Sequence, residues 1–437
     1  MEWYWAFALL LGMVISMMAI GIPVALAFLT TNLVGWLFFN DWNPFAVHQV
    51  VDNSTILITR FTLGPVPMFI MMGSLFFHTG LAIRVFDALE ALFGRLPGRL
   101  CYLTVVGGAL FSTLTGSSMA NTAMLGSLMV PEMRRRGYNP RMSMGPILGT
   151  GGLAMIIPPS SLGVLLASIA GIDVGRLLIA GFIPGFLLAA LYAALITLQL
   201  WINPKGAPVY EVEPTTIVQK VTLVCTNIVP MSFVVFMVIG VIILGWATPT
   251  EAAAFGVLGV GILAGAYRVL TLKSVRASVE GTVRVAAMVF FILMNSTVFS
   301  QLLAFSGATA GMLEWATGFE VGRLVVLLVM FFVLLLLGMF MDPVSMMLIT
   351  VPIFFPLAQQ LGFDLVWFGL FVLITLEMAG TTPPFGLLLY VMLGVAPRGT
   401  TLFQVASAAF PFLICDAILI LILVAVPGLA LWLPSLM

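Results

Sequence analysis

Apolar residues run along this chain in long blocks, and charged residues are confined to the short gaps between them. The pattern is neither the alternation of a half-buried strand nor the one-sided stripe of a surface helix, so it predicts helices with apolar surroundings on every side. Blocks long enough to cross a bilayer as a helix, about 20 residues each, fall at 4–20, 24–39, 63–80, 142–172, 175–202, 222–246, 251–268, 281–304, 365–395 and 404–432. They predict an all-α polytopic membrane protein with about ten crossings.

Two further apolar stretches, 100–131 and 322–358, are too long for one straight span and are interrupted near the middle by "STLTGSSMAN" and "GMFMDPVS". Arg95 and Arg99 precede the first, and Arg134, Arg135, Arg136 and Arg141 follow it. Because basic residues concentrate on the cytoplasmic side, both of its ends are expected inside. The second is flanked by Glu314, Glu320 and Asp364 with Arg323 as the cation, so both of its ends are expected outside. Each stretch is then a re-entrant helical hairpin, and the two point at each other. Threaded this way, only Arg60, Arg176 and Arg323 of the 17 Lys and Arg residues fall outside.

The blocks also repeat. An offset of 225 residues aligns Pro131 with Pro356, Gly137 with Gly362, and Pro158-Pro159 with Pro383-Pro384, and an offset of 222 lays "FIMMGSLFF" from Phe69 over "FILMNSTVF" from Phe291. The two copies have opposite orientations in the membrane. The expected organisation is scaffold helices at 1–62, a first inverted repeat at 63–205 (hairpin 100–131, broken helix 142–172), a connecting amphipathic segment and scaffold helices at 206–280, and a second repeat at 281–437 (hairpin 322–358, broken helix 365–395). Secondary transporters use opposed repeats with interrupted helices to build a midplane site that opens to either side.

Composition excludes other classes. With 62% hydrophobic and 8% charged residues, a water-soluble surface cannot be built. Net charge is zero and the longest basic run is Arg134 to Arg136, which argues against nucleic acid as a partner. Cys101, Cys225 and Cys415 are far apart in apolar surroundings, which suggests neither a disulfide framework nor a metal site. His48 and His78 lack metal-ligand spacing, and no nucleophile stands with a base, so no enzyme is expected. A channel is opposed by the paired breaks, which build an occludable site rather than a continuous pore. The apolar N-terminus has no basic n-region or A-x-A site and reads as a retained span rather than a signal peptide.

The chemistry concentrates at the interruptions. Proline removes a backbone donor and clashes with the preceding turn, so "IPPS" and "TTPP" each unwind helix. The carbonyls thus freed must face protein, water or an ion. Ser160 and Ser161 follow the first break, Thr381 and Thr382 precede the second, and Gly149, Gly151, Gly152 and Gly380 stand just before the breaks. The hairpin tips offer Ser117, Ser118, Asn121 and Thr122, and Asp342 with Ser345. Carbonyls, hydroxyls and a carboxylate are hard oxygen ligands suited to Na⁺, and free helix N-termini attract an anionic substrate group. Asp342 is the sharpest functional candidate, since a charge in mid-membrane costs several kcal/mol; Glu377 and Asp416 raise the same question with less context.

"GSSMANTAMLGSLMVPEMRRRGY", "GGLAMIIPPS", "MDPVSMMLITVPIFFP" and "TTPPFGLLLY" resemble the large membrane subunit of tripartite ATP-independent periplasmic (TRAP) transporters, over about residues 5 to 430. The resemblance implies an elevator-type carrier for Na⁺-driven uptake of an organic acid, such as a C4-dicarboxylate or sialic acid. Its partners would be a periplasmic substrate-binding protein and a separate small membrane subunit, in a bacterial inner membrane, with Na⁺ as coupling ion and no organic cofactor. Carried over by position, Ser117, Ser118 and Asn121 with Gly149, Gly151 and Gly152 would form one Na⁺ site. Gly338, Met341 and Asp342 with Thr381 and Thr382 would form a second, and substrate would lie near Ser118, Ser160, Ser161 and Pro384. The family often has an Asp at the position of Asn121, so this chain carries one negative charge fewer there. The rival reading is a stand-alone di- or tricarboxylate carrier of a related elevator family, working without a binding protein.

Overall fold

All ten apolar blocks fold as helix in a computed structural model that describes residues 2–58, 63–92, 96–115, 118–158, 160–208, 216–318, 322–338, 341–383 and 386–436. The N-terminal part comprises α1 (Trp3–Ala19), α2 (Val24–Phe39), α3 (Ala46–Ile58), α4 (Pro65–His78) and α5 (Leu81–Leu92). The first interrupted stretch is α6 (Arg99–Thr115) and α7 (Ser118–Arg135), followed by α8 (Pro140–Ile156), α9 (Ser161–Ala170), α10 (Val174–Ala180) and α11 (Phe182–Ile202). The centre holds α12 (Ile217–Leu223), α13 (Val229–Ile243), α14 (Pro249–Ala266), α15 (Leu272–Phe305) and α16 (Ala308–Gly318). The second interrupted stretch is α17 (Arg323–Gly338) and α18 (Pro343–Gln360), then α19 (Leu365–Thr381), α20 (Leu387–Val395), α21 (Leu402–Ala425) and α22 (Gly428–Leu431). No strand occurs among the described residues.

Among the described residues, six helical stretches are long and apolar enough to cross a membrane, or up to eight with the bent pairs α4–α5 (66°) and α8–α9 (45°). One of the six is α18, the second arm of a hairpin. The expected ten also include α1, α2 and the α19–α20 pair, whose individual helices are apolar but shorter.

Both interrupted stretches return to the side they start from. Arg99 at the start of α6 bonds Glu90 at 2.5 Å, and Arg136, just past α7, reaches the same Glu90 oxygen at 3.6 Å. In the second, the Arg323 guanidinium at the start of α17 lies 5.6 Å from the ring centroid of Phe363, just past α18. Hairpin ends are thus tied by a salt bridge in one case and a cation–π contact in the other.

Three features depart from the sequence reading. The amphipathic α3 and α5 fall outside every expected crossing. The expected boundary at 280/281 falls inside the continuous α15, which starts at Leu272 because Thr271 and Ser274 form a reciprocal cap. The block at 222–246 contains a π-helical turn, Val224–Ile228, just before Pro230. Pro230 cannot donate to the carbonyl of Thr226, and the Tyr267 hydroxyl of the neighbouring helix donates to it instead.

The arrangement that positions the site is an exchange between repeats. Each hairpin packs on the first half of its own repeat's broken helix: α6 and α7 on α8, α17 and α18 on α19. The second half of each broken helix packs on the other repeat's hairpin, α20 on α7 and α9 on α18. At the first of these contacts, a Cβ on Gly126 would stand 2.5 Å from Val395 Cγ2, so only glycine admits α20 at this distance. A smaller core of Leu10, Phe28, Trp36 and Phe299 joins α1, α2 and α15, with Leu348 and Ile349 of α18 on its edge.

Candidate functional site

Each break has its own local cause. Asn139 caps α8 by accepting from the backbone of Arg141, with Pro140 in the first turn, and the helix ends at Ile156 before Pro158. Ser160 restarts the chain as the N-cap of α9, its hydroxyl accepting from Gly163 N at 3.0 Å. At the second break α19 ends at Thr381, and Gly386 lies so close to the turn that a Cβ there would stand 2.7 Å from the Gly380 carbonyl oxygen. Leu388, one residue into α20, would touch a Cβ on Gly380 at 3.6 Å and one on Gly151 at 3.7 Å. The start of α20 therefore packs on α8 ahead of the first break.

The first hairpin tip closes onto this point. Ser118, at the start of α7, donates to Glu377 Oε2 on α19 at 2.8 Å. Asn121 Nδ2 donates to the Thr150 carbonyl of α8 at 3.2 Å. A Cβ on Gly152 would stand 2.6 Å from Glu377 Cγ, so the small residues before the first break are the seat of this carboxylate. Ser118, Asn121, Thr122 and Glu377 are all buried. Of the residues expected around the first Na⁺ site, the structure thus brings together Ser118, Asn121, Gly151 and Gly152. Gly149 faces elsewhere, since a Cβ on it would stand 2.5 Å from the Phe412 ring of α21. Ser117 lies outside the described residues.

The second tip is built differently. Gly338 brings the end of α17 against α19, where a Cβ on it would stand 2.2 Å from Ala379 Cβ. Asp342 caps α18: Oδ2 accepts from Val344 N at 3.0 Å and Ser345 N at 3.2 Å, and Oδ1 accepts from the Ser345 hydroxyl. Thr381 and Thr382 donate to carbonyls of their own helix, both of them to Met378 O. Met341, between Gly338 and Asp342, is half-buried. Gly338 and the Thr381–Thr382 end of α19 therefore meet, while Asp342 is held by its own helix. For the expected substrate residues, Ser160 is buried with its hydroxyl in the cap, Ser161 opens α9 half-buried, and Pro384 lies outside the described residues.

Glu377 is the residue that sequence reasoning did not place in the site. The signal is an acidic residue inside the apolar block 365–395, one turn before the Thr381–Thr382 break. A further acid within an apolar block, Asp416, accepts from Tyr192 Oη at 2.5 Å between α21 and α11. Among the described residues, no group of three or more His, Cys, Asp and Glu side chains is arranged to hold a metal ion. The oxygens at the first tip are hydroxyl, amide, backbone carbonyl and one carboxylate, a set suited to a hard cation.

Residues 11–429 match the family described as "Tripartite ATP-independent periplasmic transporter, DctM component". The C4-dicarboxylate TRAP transporter large permease protein DctM of Rhodobacter capsulatus is 30% identical, over 98% of this chain and 99% of its own. The sialic acid TRAP transporter large permease protein SiaM of Vibrio cholerae is 31% identical over 98% and 97%. The ectoine TRAP transporter large permease protein TeaC of Halomonas elongata is 27% identical over 98% and 99%. Among solved structures, the YdaH transporter of Alcanivorax borkumensis superposes with a TM-score of 0.62 at 13% identity, over 94% of this chain and 97% of that one.

Proposed function

Since the chain belongs to the DctM-component family of tripartite ATP-independent periplasmic transporters, we propose that it is the translocating large permease of a Na⁺-coupled organic-anion importer. It is a multi-pass protein of the inner membrane. A small membrane subunit completes the membrane part of the system, and a periplasmic binding protein delivers the cargo. The cargo is an organic acid: the relatives are named for C4-dicarboxylate, sialic acid and ectoine, each of which carries a carboxylate.

The observation that carries this reading is the exchange of half-helices between repeats. It brings the start of α7, the end of α17, α8 and the start of α20 against the last turns of α19, around Glu377, Ala379 and Gly380. Helix N-termini favour an anionic group, and the oxygens of the tips favour the cation. Substrate lies near Ser118, Ser160, Ser161 and Pro384, and Na⁺ sits at each tip. Hairpins and broken helices slide as one body against the remaining helices, exposing the site to either side, with no bond made or broken in the cargo.

Uptake into proteoliposomes tests this. C4-dicarboxylates and sialic acid are supplied with a Na⁺ or a K⁺ gradient, with and without the binding protein and small subunit. Uptake that needs the Na⁺ gradient and both partners is expected. Uptake by this chain alone would overturn the tripartite reading in favour of a stand-alone carrier.

A further inference from the structure

Two polar atoms at the first hairpin tip have no hydrogen-bond partner among the described residues: Thr122 Oγ1 and Glu377 Oε1. Thr122 is fully buried and Glu377 is 3% exposed. They belong to different repeats, yet they face the same spot. A Cβ placed on Gly151 would stand 3.0 Å from Thr122 Oγ1 and 3.4 Å from Glu377 Oε1, so both atoms lie within 3.4 Å of one point.

An orphaned hydroxyl costs about 1–3 kcal/mol when buried, and a buried carboxylate with one bare oxygen costs more unless a positive charge is beside it. A carboxylate has about four acceptor positions. Ser118 fills one on Oε2, while the Oε1 side points at Thr122 and the glycine face of α8. No Lys or Arg lies in the sequence within twenty residues of Glu377 on either side, so its own segment brings no counter-charge. Asn121, a neutral residue on α7, supplies none either.

Resting on the reading of the chain as a Na⁺-coupled carrier, we propose that Glu377 Oε1 and Thr122 Oγ1 are direct ligands of the Na⁺ at the first hairpin tip. Glu377, reaching in from the second repeat, provides the negative charge that Asn121 does not. Ser118 then positions the carboxylate by holding its other oxygen. The cation closes a contact between repeats, so the first hairpin tip and α19 bind each other more tightly with Na⁺ present than without it.

The test uses Na⁺ alone as the probe. The melting temperature of the purified full-length chain is followed against NaCl, with choline chloride holding ionic strength constant, since a ligand that binds only the folded state stabilises it. Glu377→Gln keeps the volume and an acceptor for Ser118, and Thr122→Val keeps the volume without the oxygen. The Na⁺ midpoint should rise about tenfold or more in both Glu377→Gln and Thr122→Val, the range that loss of a metal-site contact costs. A wild type that responds to Na⁺ while both variants keep its midpoint overturns the ligand assignment alone. A wild type indifferent to Na⁺ overturns the Na⁺-coupled reading as well. If Glu377→Gln does not fold, the Thr122→Val midpoint decides.

Discussion

Ser118 and Glu377 are 259 positions apart in the chain, and the hydroxyl of one bonds the carboxylate of the other at 2.8 Å. The bond joins the tip of the first hairpin to the broken helix of the second repeat. Ser118→Ala leaves the buried Glu377 carboxylate without this donor and should lower stability by about 1–3 kcal/mol. Ser118→Thr, which keeps the hydroxyl, should stay within about 1 kcal/mol of wild type by the same reasoning. Thermal unfolding of the purified chain in detergent measures both.

Gly152 is a seat for Glu377, because a Cβ there would stand 2.6 Å from Glu377 Cγ. Gly152→Ala must push the carboxylate aside, at a cost of about 1–3 kcal/mol, and Na⁺-dependent uptake should fall with it. Gly12→Ala on α1 is the control, since nothing lies within 4 Å of its Cβ position. Wild-type uptake in Gly152→Ala would show that α8 does not hold the carboxylate in place.

Asp342 combines a helix cap with a charge, and two substitutions separate them. Asn caps as well as Asp, so Asp342→Asn should insert and fold normally, whereas Asp342→Ala should lose about 1 kcal/mol of stability. Both should lose Na⁺-dependent uptake if the second tip binds the ion through this charge. Full Na⁺ dependence in Asp342→Asn would leave the residue a cap alone.

The packing of α7 on α20 makes a prediction about motion. A Cβ on Gly126 would lie 3.6 Å from Val395 Cβ, within the range that a disulfide spans. With Cys225 replaced by Ser, the pair Gly126→Cys and Val395→Cys should cross-link on oxidation and leave uptake within about twofold, since the proposed sliding motion carries both helices together. Uptake abolished by the cross-link and restored by reductant would mean that α7 and α20 separate during the cycle.

Much of this arrangement is legible in single residues. Arg95, Arg99 and Arg134 to Arg136 imply that the first interrupted stretch returns to its own side, and the contacts of Arg99 and Arg136 with Glu90 place its ends together. Pro158 and Pro383 mark both breaks. The sequence "MDPVS" carries a charge and also an Asp-Pro helix start, and the second signal is the one that the hydrogen bonds of Asp342 express. The amphipathic α3 and α5 are too polar to register as spans. The partners of Glu377, and the packing of α20 on α7, are not legible at all. An apolar helix face reads the same whether it meets lipid or another helix, and only the three-dimensional contact tells which glycine admits which neighbour.

The exchange of half-helices also bears on how the protein is made. At about 5–20 residues per second, the 259 positions between Ser118 and Glu377 take on the order of ten to fifty seconds to synthesise. For most of that interval the first hairpin and α8 are already in or near the membrane, while α19 and α20, which complete their packing, do not yet exist. The nascent first repeat must therefore wait with an unfilled groove and unpaired hydroxyls, and neither repeat expressed by itself should reach its native packing. Co-expression of the two halves as separate chains is the arrangement in which assembly, rather than insertion, sets the yield.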